Sequence, residues 1–245
     1  MTPPADPVGP EEVVVVAGNG PSLARIAPGR VLASDRIFRI NSFFLEPEYY
    51  LGRRVDLAMV AGDPRVAPFL AETLRRAGSD YDLRAWSATS DRVARAARRT
   101  LRAPFRPLAY RDGAVAAEVA RLQADYRAKP TSGLQTVLLA HAMGARRILI
   151  AGIDLYALPE RYAFEPGPRM RALMGHDFGR RSWDRRLHHP DLDRRLLAYL
   201  QGRGDVVLER LAEDTPLAGL LDLAPPRPGP APERPGKPPI RDWAG

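Results

Sequence analysis

Cysteine is absent from all 245 residues, which excludes a disulfide framework and any thiolate metal site, and fits a cytoplasmic protein. Histidine is scarce. His141, His176, His188 and His189 show no zinc-ligand spacing, so no structural or catalytic metal is expected. No apolar run reaches the length that spans a bilayer. Residues 1–11 are proline-rich, lack the basic-then-apolar order of a signal peptide, and read as a flexible N-terminus. Lysine occurs only at Lys129 and Lys237, so the 37 basic residues set against 29 acidic ones, a net +8, are almost all arginine. That balance favours anionic partners such as a nucleotide-sugar, an acidic glycolipid on an anionic membrane surface, or nucleic acid. Nucleic acid is set aside, because the arginines are scattered over amphipathic stretches such as 92–102 with no recognition helix or aromatic platform.

What is present is enough apolar sequence, 45% of the chain, to bury one large core. The pattern alternates strand and helix: strands over 12–16, 36–40, 55–60, 81–86, 106–110, 146–152 and 205–208, and helices over 65–77, 91–101, 114–126, 131–143, 191–200 and 216–223. This is the rhythm of an α/β, Rossmann-like, mostly parallel doubly wound sheet. The rhythm breaks at 157–189, a long irregular insertion that reads as a lid over a ligand. The folded domain is expected over 12–224, and the proline-rich stretch 225–245 as a disordered tail.

Two stretches carry chemistry. The first strand runs into Gly18-Asn19-Gly20-Pro21-Ser22, where two glycines would let backbone amides approach an anion, Asn19 offers an amide side chain, and Ser22 opens a helix. The second strand ends in Asn41 where an NAD enzyme usually shows an acidic residue, so a nicotinamide cofactor is not expected. The second stretch is Thr131-Ser132-Gly133, a helix and the strand 146–152, which releases Gly152, Ile153, Asp154 and Tyr156 at the edge where open α/β sheets bind ligands. Thr131 or Ser132 is placed to cap the helix.

Seven separated stretches occur in one order: 17–23, 38–41, 48–52, 131–133, 151–156, 162–164, and His188 with Asp193. In that order they resemble bacterial sialyltransferases of glycosyltransferase family 42, over about 13–224. The resemblance implies a GT-A-type variant with an inserted lid and a CMP-sialic acid donor. It implies transfer to a terminal sugar of a surface glycan or glycolipid such as lipooligosaccharide, with inversion, an α2,3 linkage, and no metal or other cofactor. It makes His188 the general base and Tyr156 and Tyr162 the phenols on the departing phosphate. Gly18, Asn19, Gly20, Asn41, Thr131, Ser132, Gly133, Gly152, Ile153 and Asp154 become the nucleotide-sugar contacts. The neighbouring His189 competes with His188 for the base role, and the spacing to Asp193 favours His188. Lys129 stands where the family often has arginine, Arg185 where it has a lid tyrosine, and a family asparagine falls near Gly62 or Asp63. Another CMP-linked nonulosonate is therefore an alternative donor, and a non-catalytic nucleotide- or polyanion-binding module an alternative function. The reading leaves room for a homo-oligomer and for peripheral contact at the inner face of the membrane.

Overall fold

The computed structural model describes residues 8–61, 67–76, 80–110, 112–165 and 187–238. Its centre is a seven-stranded sheet in which every pairing is parallel. In chain order the strands are β1 (Val13–Ala17), β2 (Arg36–Ile40), β3 (Arg54–Val55), β4 (Leu57–Val60), β5 (Asp82–Leu83), β6 (Trp86–Ala88), β7 (Arg147–Ala151), β8 (Val207–Arg210) and β9 (Asp222–Leu223). The helices are α1 (Ala67–Arg76), α2 (Asp91–Ala97), α3 (Gly113–Tyr126), α4 (Ser132–Ala142) and α5 (Pro190–Arg203). The sheet order is β6-β4-β2-β1-β7-β8-β9, and β3 pairs with β5 in a separate ribbon. The chain therefore winds outward from β1 through β2, β4 and β6, then restarts beside β1 with β7. The switch point between β1 and β7 is where such sheets open a crevice.

β1 and β7 are buried on both faces, as runs of Val, Ile and Leu in a central parallel strand require. Val14 and Val16 point into a core shared with α4, while Val15 and Ala17 point into the opposite core with Leu23, Leu149 and Leu211. A third cluster packs α1 and α2 against the β4–β6 edge around Trp86. α4 is buried along residues 133–140, so its N-terminus is held rigidly over the switch point.

Several expected elements are divided or missing. The 55–60 strand splits at Asp56, whose carboxylate accepts from the Ile37 amide at 2.8 Å and from Arg54 Nε at 3.0 Å. β3 then turns to β5 and β4 joins the main sheet. The 81–86 strand divides in the same way into β5 and the start of β6. No strand forms at 106–110: pairing stops at a Trp86–Phe105 bridge, flanked by Pro104 and Pro107, which have no N–H to extend a ladder. The expected helix at 216–223 is a series of turns ending in β9, because Asp222 and Leu223 are drawn into pairing with β8.

The expectation of a disordered tail does not hold for residues 225–238. They carry no regular structure but are docked: Ala33 N–H donates to Pro230 O and Arg227 N–H to Gly29 O, each at 2.8 Å. Arg227 also pairs with Asp35, and Lys237 Nζ donates to the carbonyls of Phe44 (2.9 Å) and Glu46 (2.6 Å). Proline lowers the entropy lost on ordering an extended chain, and arginine and lysine find backbone carbonyls to bind. The side chains of Arg39 and Glu46 beneath are 0% exposed and paired at 2.6 Å, with the Tyr81 hydroxyl donating to Glu46 at 2.9 Å.

Candidate active site

The turns after β1 and β7 interlock. Gly18 N–H donates to Ala151 O and Gly20 N–H to Gly152 O, each at 2.9 Å. A Cβ on Gly152 would lie 2.5 Å from Gly18 O and 2.8 Å from Gly18 C, and Gly152 holds φ +61°. Only glycine permits both. Asp154 locks the pair from the side: one oxygen accepts from Ser22 N–H at 2.9 Å and the other from the Thr215 hydroxyl at 3.2 Å. The Ser22 hydroxyl returns the tie by accepting from Gly152 N–H at 3.0 Å.

This corrects the anion-cradle reading of the turn. The amides of Gly18, Gly20 and Ser22 are already bonded within the protein, and the helix after them is a short 3-10 segment, Pro21–Arg25. The glycines serve the close approach of two backbones. Asn19 keeps one polar atom open. Its Nδ2 donates to Ile40 O at 2.8 Å, while its Oδ1 is buried without a hydrogen-bond partner. A buried acceptor left open is costly unless a ligand donor such as a sugar hydroxyl or an amino group fills it. Asn41 stands next to it at the end of β2, at φ +52°, with its Oδ1 accepting from Ala61 N–H at 2.7 Å.

On the other side of the switch point, Thr131 is the cap of α4, accepting from Leu134 N–H. Its own N–H and hydroxyl meet Asp193 at 3.1 and 2.5 Å. With capping assigned to Thr131, the half-buried Ser132 hydroxyl at the helix start is available to a ligand, next to the positive end of the helix dipole. Gly133 packs on Ile153: an added Cβ would meet the Ile153 side chain at 3.1 Å. Ile153, buried and apolar, is thus a support for the α4 start.

Asp193 is 0% exposed, and burial raises its carboxyl to about 7 against the opposing pull of the Thr131 hydrogen bonds. It zips the segment before α4 to the first turn of α5. The same seam continues backwards, with Lys129 N–H donating to Leu187 O at 2.8 Å and His188 Nδ1 lying 3.0 Å from Lys129 O. A carbonyl only accepts, so Nδ1 carries the proton and Nε2 is the basic nitrogen. The two histidines make different contacts. His189 is the N-cap of α5, its Nδ1 accepting from Asp191 N–H at 3.2 Å, and its ring lies 4.7 Å from that of Tyr126.

Tyr156 and Tyr162 close the third side. Leu155 and Tyr156 both have positive φ, +50° and +56°, in a turn sealed by Ala157 N–H to Asp154 O at 2.9 Å. Consecutive left-handed non-glycine residues are strained, and such strain is characteristic of functional sites. The chain then folds back over the β1 turn, with Ala163 N–H donating to Asn19 O at 2.8 Å and Tyr50 Oη donating to Ala163 O at 3.4 Å. Burial pushes the Tyr156 phenol up to about 12 and also raises Tyr162, so both are neutral O–H donors near pH 7. Arg161 lies between them, its guanidinium carbon 5.8 Å from the Tyr156 ring centre and 5.5 Å from that of Tyr162. Sequence reasoning passed over this arginine although it adjoins a tyrosine already singled out.

The remainder of the expected lid, 166–186, lies outside the described residues, as do Arg185, Gly62 and Asp63. The sequence contains two Asp-x-Asp triplets of the kind that can hold a metal, Asp80-Tyr81-Asp82 and Asp191-Leu192-Asp193. Neither gathers ligands: Asp193 is turned inward to Thr131, and Asp82 faces Arg84. Among the described residues no group of three or more His, Cys, Asp or Glu is placed to hold a metal ion. Nor is any of their helices long and apolar enough to cross a membrane.

No protein-family model matches the sequence, and no curated protein matches it. Solved structures do. The sialyltransferase CstII from Campylobacter jejuni in complex with CMP-3FNeuAc is similar at TM-score 0.74 and 21% identity, covering 87% of this chain and 87% of that one. The sialyltransferase CST-II in complex with a trisaccharide acceptor and CMP gives 0.72 and 21%, covering 88% and 87%. The monofunctional α-2,3-sialyltransferase Cst-I from Campylobacter jejuni gives 0.79 and 19%, covering 96% and 88%. At this identity the likeness establishes a shared fold across nearly the whole of each chain.

Proposed function

We propose that the protein is an inverting, metal-independent sialyltransferase that moves sialic acid from CMP-sialic acid to a terminal sugar hydroxyl of a surface glycan or glycolipid, forming an α2,3 linkage. One observation carries the reading: His188, with its proton fixed on Nδ1, and two neutral phenols lie on the elements around one switch point. The open Asn19 acceptor and the α4 start are at the same edge. Neighbours of the same fold have been seen with CMP, with CMP-3FNeuAc, and with a trisaccharide acceptor.

On this reading the nucleoside lies between Asn19, Asn41 and the Gly152–Asp154 turn, and the sugar carboxylate meets the Ser132 hydroxyl and the first amides of α4. His188 Nε2 takes the proton of the acceptor hydroxyl as its oxygen bonds to the anomeric carbon. The bond from that carbon to the phosphate oxygen breaks on the opposite face, inverting the centre. Tyr156 and Tyr162 donate to the departing phosphate, where their hydrogen bonds strengthen as charge develops. The acceptor is a glycan or glycolipid at the inner face of the membrane, where the arginine-rich surface suits an anionic bilayer.

Incubation with CMP-sialic acid and lactose, followed by linkage analysis, tests the assignment. Substituting His188→Ala should lower transfer by roughly 10²–10⁴, the usual contribution of a positioned base, with CMP affinity near wild type. Substituting His189→Ala should instead lower thermal stability through the lost cap, by about 1 kcal/mol. Retained transfer in His188→Ala would exclude the base assignment. Transfer should persist in excess EDTA, and a loss restored by Mg²⁺ or Mn²⁺ would overturn the metal-free mechanism. A donor panel including another CMP-linked nonulosonate decides the alternative that Lys129 and Arg185 raise.

A further inference from the structure

A phosphate that leaves without a metal needs more than neutral donors. Phenolic O–H groups supply hydrogen bonds but no charge, and among the described residues no group is placed to hold a metal ion. A cation is nonetheless present between the two phenols. The Arg161 guanidinium lies 5.8 and 5.5 Å from their ring centres, and its charge and N–H groups act on both phenols against the upward push of burial. Glu160 and Glu165 flank it in the same loop.

The loop is held at each end rather than trailing in solvent. Before Arg161 it is fixed by the Ala157–Asp154 turn, after it by the bond from Ala163 N–H to Asn19 O and by the Tyr50 hydroxyl on Ala163 O. The first anchor is the end of β7 and the second the end of β1, so the guanidinium is referenced to both strands of the switch point. A guanidinium presents five donors in a planar fork that matches two phosphate oxygens, and the phenols it already engages are the groups assigned to the same phosphate.

We propose that Arg161 is a catalytic residue of this site, binding the phosphate oxygens of the departing nucleotide between the Tyr156 and Tyr162 hydroxyls and neutralising the charge released as the sugar–phosphate bond breaks. The proposal rests on the nucleotide-sugar reading above. The alternative for the same geometry is a cation–π clamp that only shapes the loop, and the two differ in what they do to phosphate.

Calorimetric binding of CMP and of cytidine, which lacks the phosphate, is measured for wild type, Arg161→Met and Arg161→Lys, alongside turnover of CMP-sialic acid and thermal midpoints. Arg161→Met should weaken CMP about tenfold or more while leaving cytidine unchanged, and lower kcat by about 10²–10³, the usual loss of one preorganised charge-stabilising donor. Arg161→Lys should recover part of both, because it keeps charge without the fork. If Arg161→Met binds CMP as wild type does and turns over within threefold of it, Arg161 is only a clamp. Equal weakening of CMP and cytidine, or a fallen midpoint that Arg161→Lys does not restore, overturns the proposal in the same way. If the wild type itself binds neither CMP nor cytidine, the nucleotide-sugar reading fails and the proposal with it.

Discussion

Replacing Asp193 with asparagine should make the protein more stable at alkaline pH than the wild type, an unusual result for a buried polar residue. The carboxyl is wholly enclosed and accepts only from Thr131, so burial holds its folded-state pKa near 7, against about 3.9 in an unfolded chain. The folded protein thus binds this proton more tightly than the unfolded one. The contribution is complete below about pH 4 and is lost as pH rises through about 7. Three units at 1.36 kcal/mol each give about 4 kcal/mol in all, of which about 2–3 kcal/mol falls between pH 5 and pH 8. Asparagine keeps the geometry, its carbonyl accepting from Thr131 N–H and its amide donating to the Thr131 hydroxyl, but has no proton to lose. Urea denaturation of both proteins at pH 5 and pH 8 is the assay. The wild type should lose about 2–3 kcal/mol more than the variant between the two conditions. Identical pH slopes would refute the argument that burial holds the proton. Because Asp193 ties α5 to the start of α4 immediately after His188, alkaline conditions that deprotonate a histidine base also loosen its seat.

Gly152→Ala should cost more than about 1 kcal/mol from its left-handed backbone alone, with further loss as the two turns are forced apart, and should weaken CMP binding at least tenfold. Equal thermal midpoints and affinities would contradict the interlock. Glu46→Ala leaves Arg39 buried without its counter-ion and should cost about 3–5 kcal/mol by chemical denaturation, whereas the double change Arg39→Met with Glu46→Leu should cost much less. A double variant as unstable as the single one would show that the loss comes from packing.

The central strands and α4 were legible because each is an apolar run bounded by a glycine, a proline or a polar cap, and β2 agrees residue for residue with its pattern. Failures cluster where a distant partner decides. Asp56 breaks a strand by bonding to Ile37, and Asp222 joins β8 rather than a helix. The glycines at 18 and 152 were singled out as site residues, but their mutual packing was not visible, since the partner of each is the other turn, across the chain. Asp154 was read as a ligand contact, and both its oxygens prove to be engaged by Ser22 and Thr215. His188 and His189 could be separated by spacing alone only in outline, and the cap on Asp191 gives the physical distinction.

The interlocked turns also set the order in which the chain can mature. β1 meets β2 as soon as both are made, yet its other edge waits for β7, and the Ser22–Gly152 bond spans 130 residues. During synthesis the β1–β2–β4–β6 half must therefore exist with one long apolar strand edge unpaired, the kind of surface that recruits chaperones or a neighbouring nascent chain. The backbone carbonyl of Glu46 waits longer still for its partner, because Lys237 reaches it from 191 positions away.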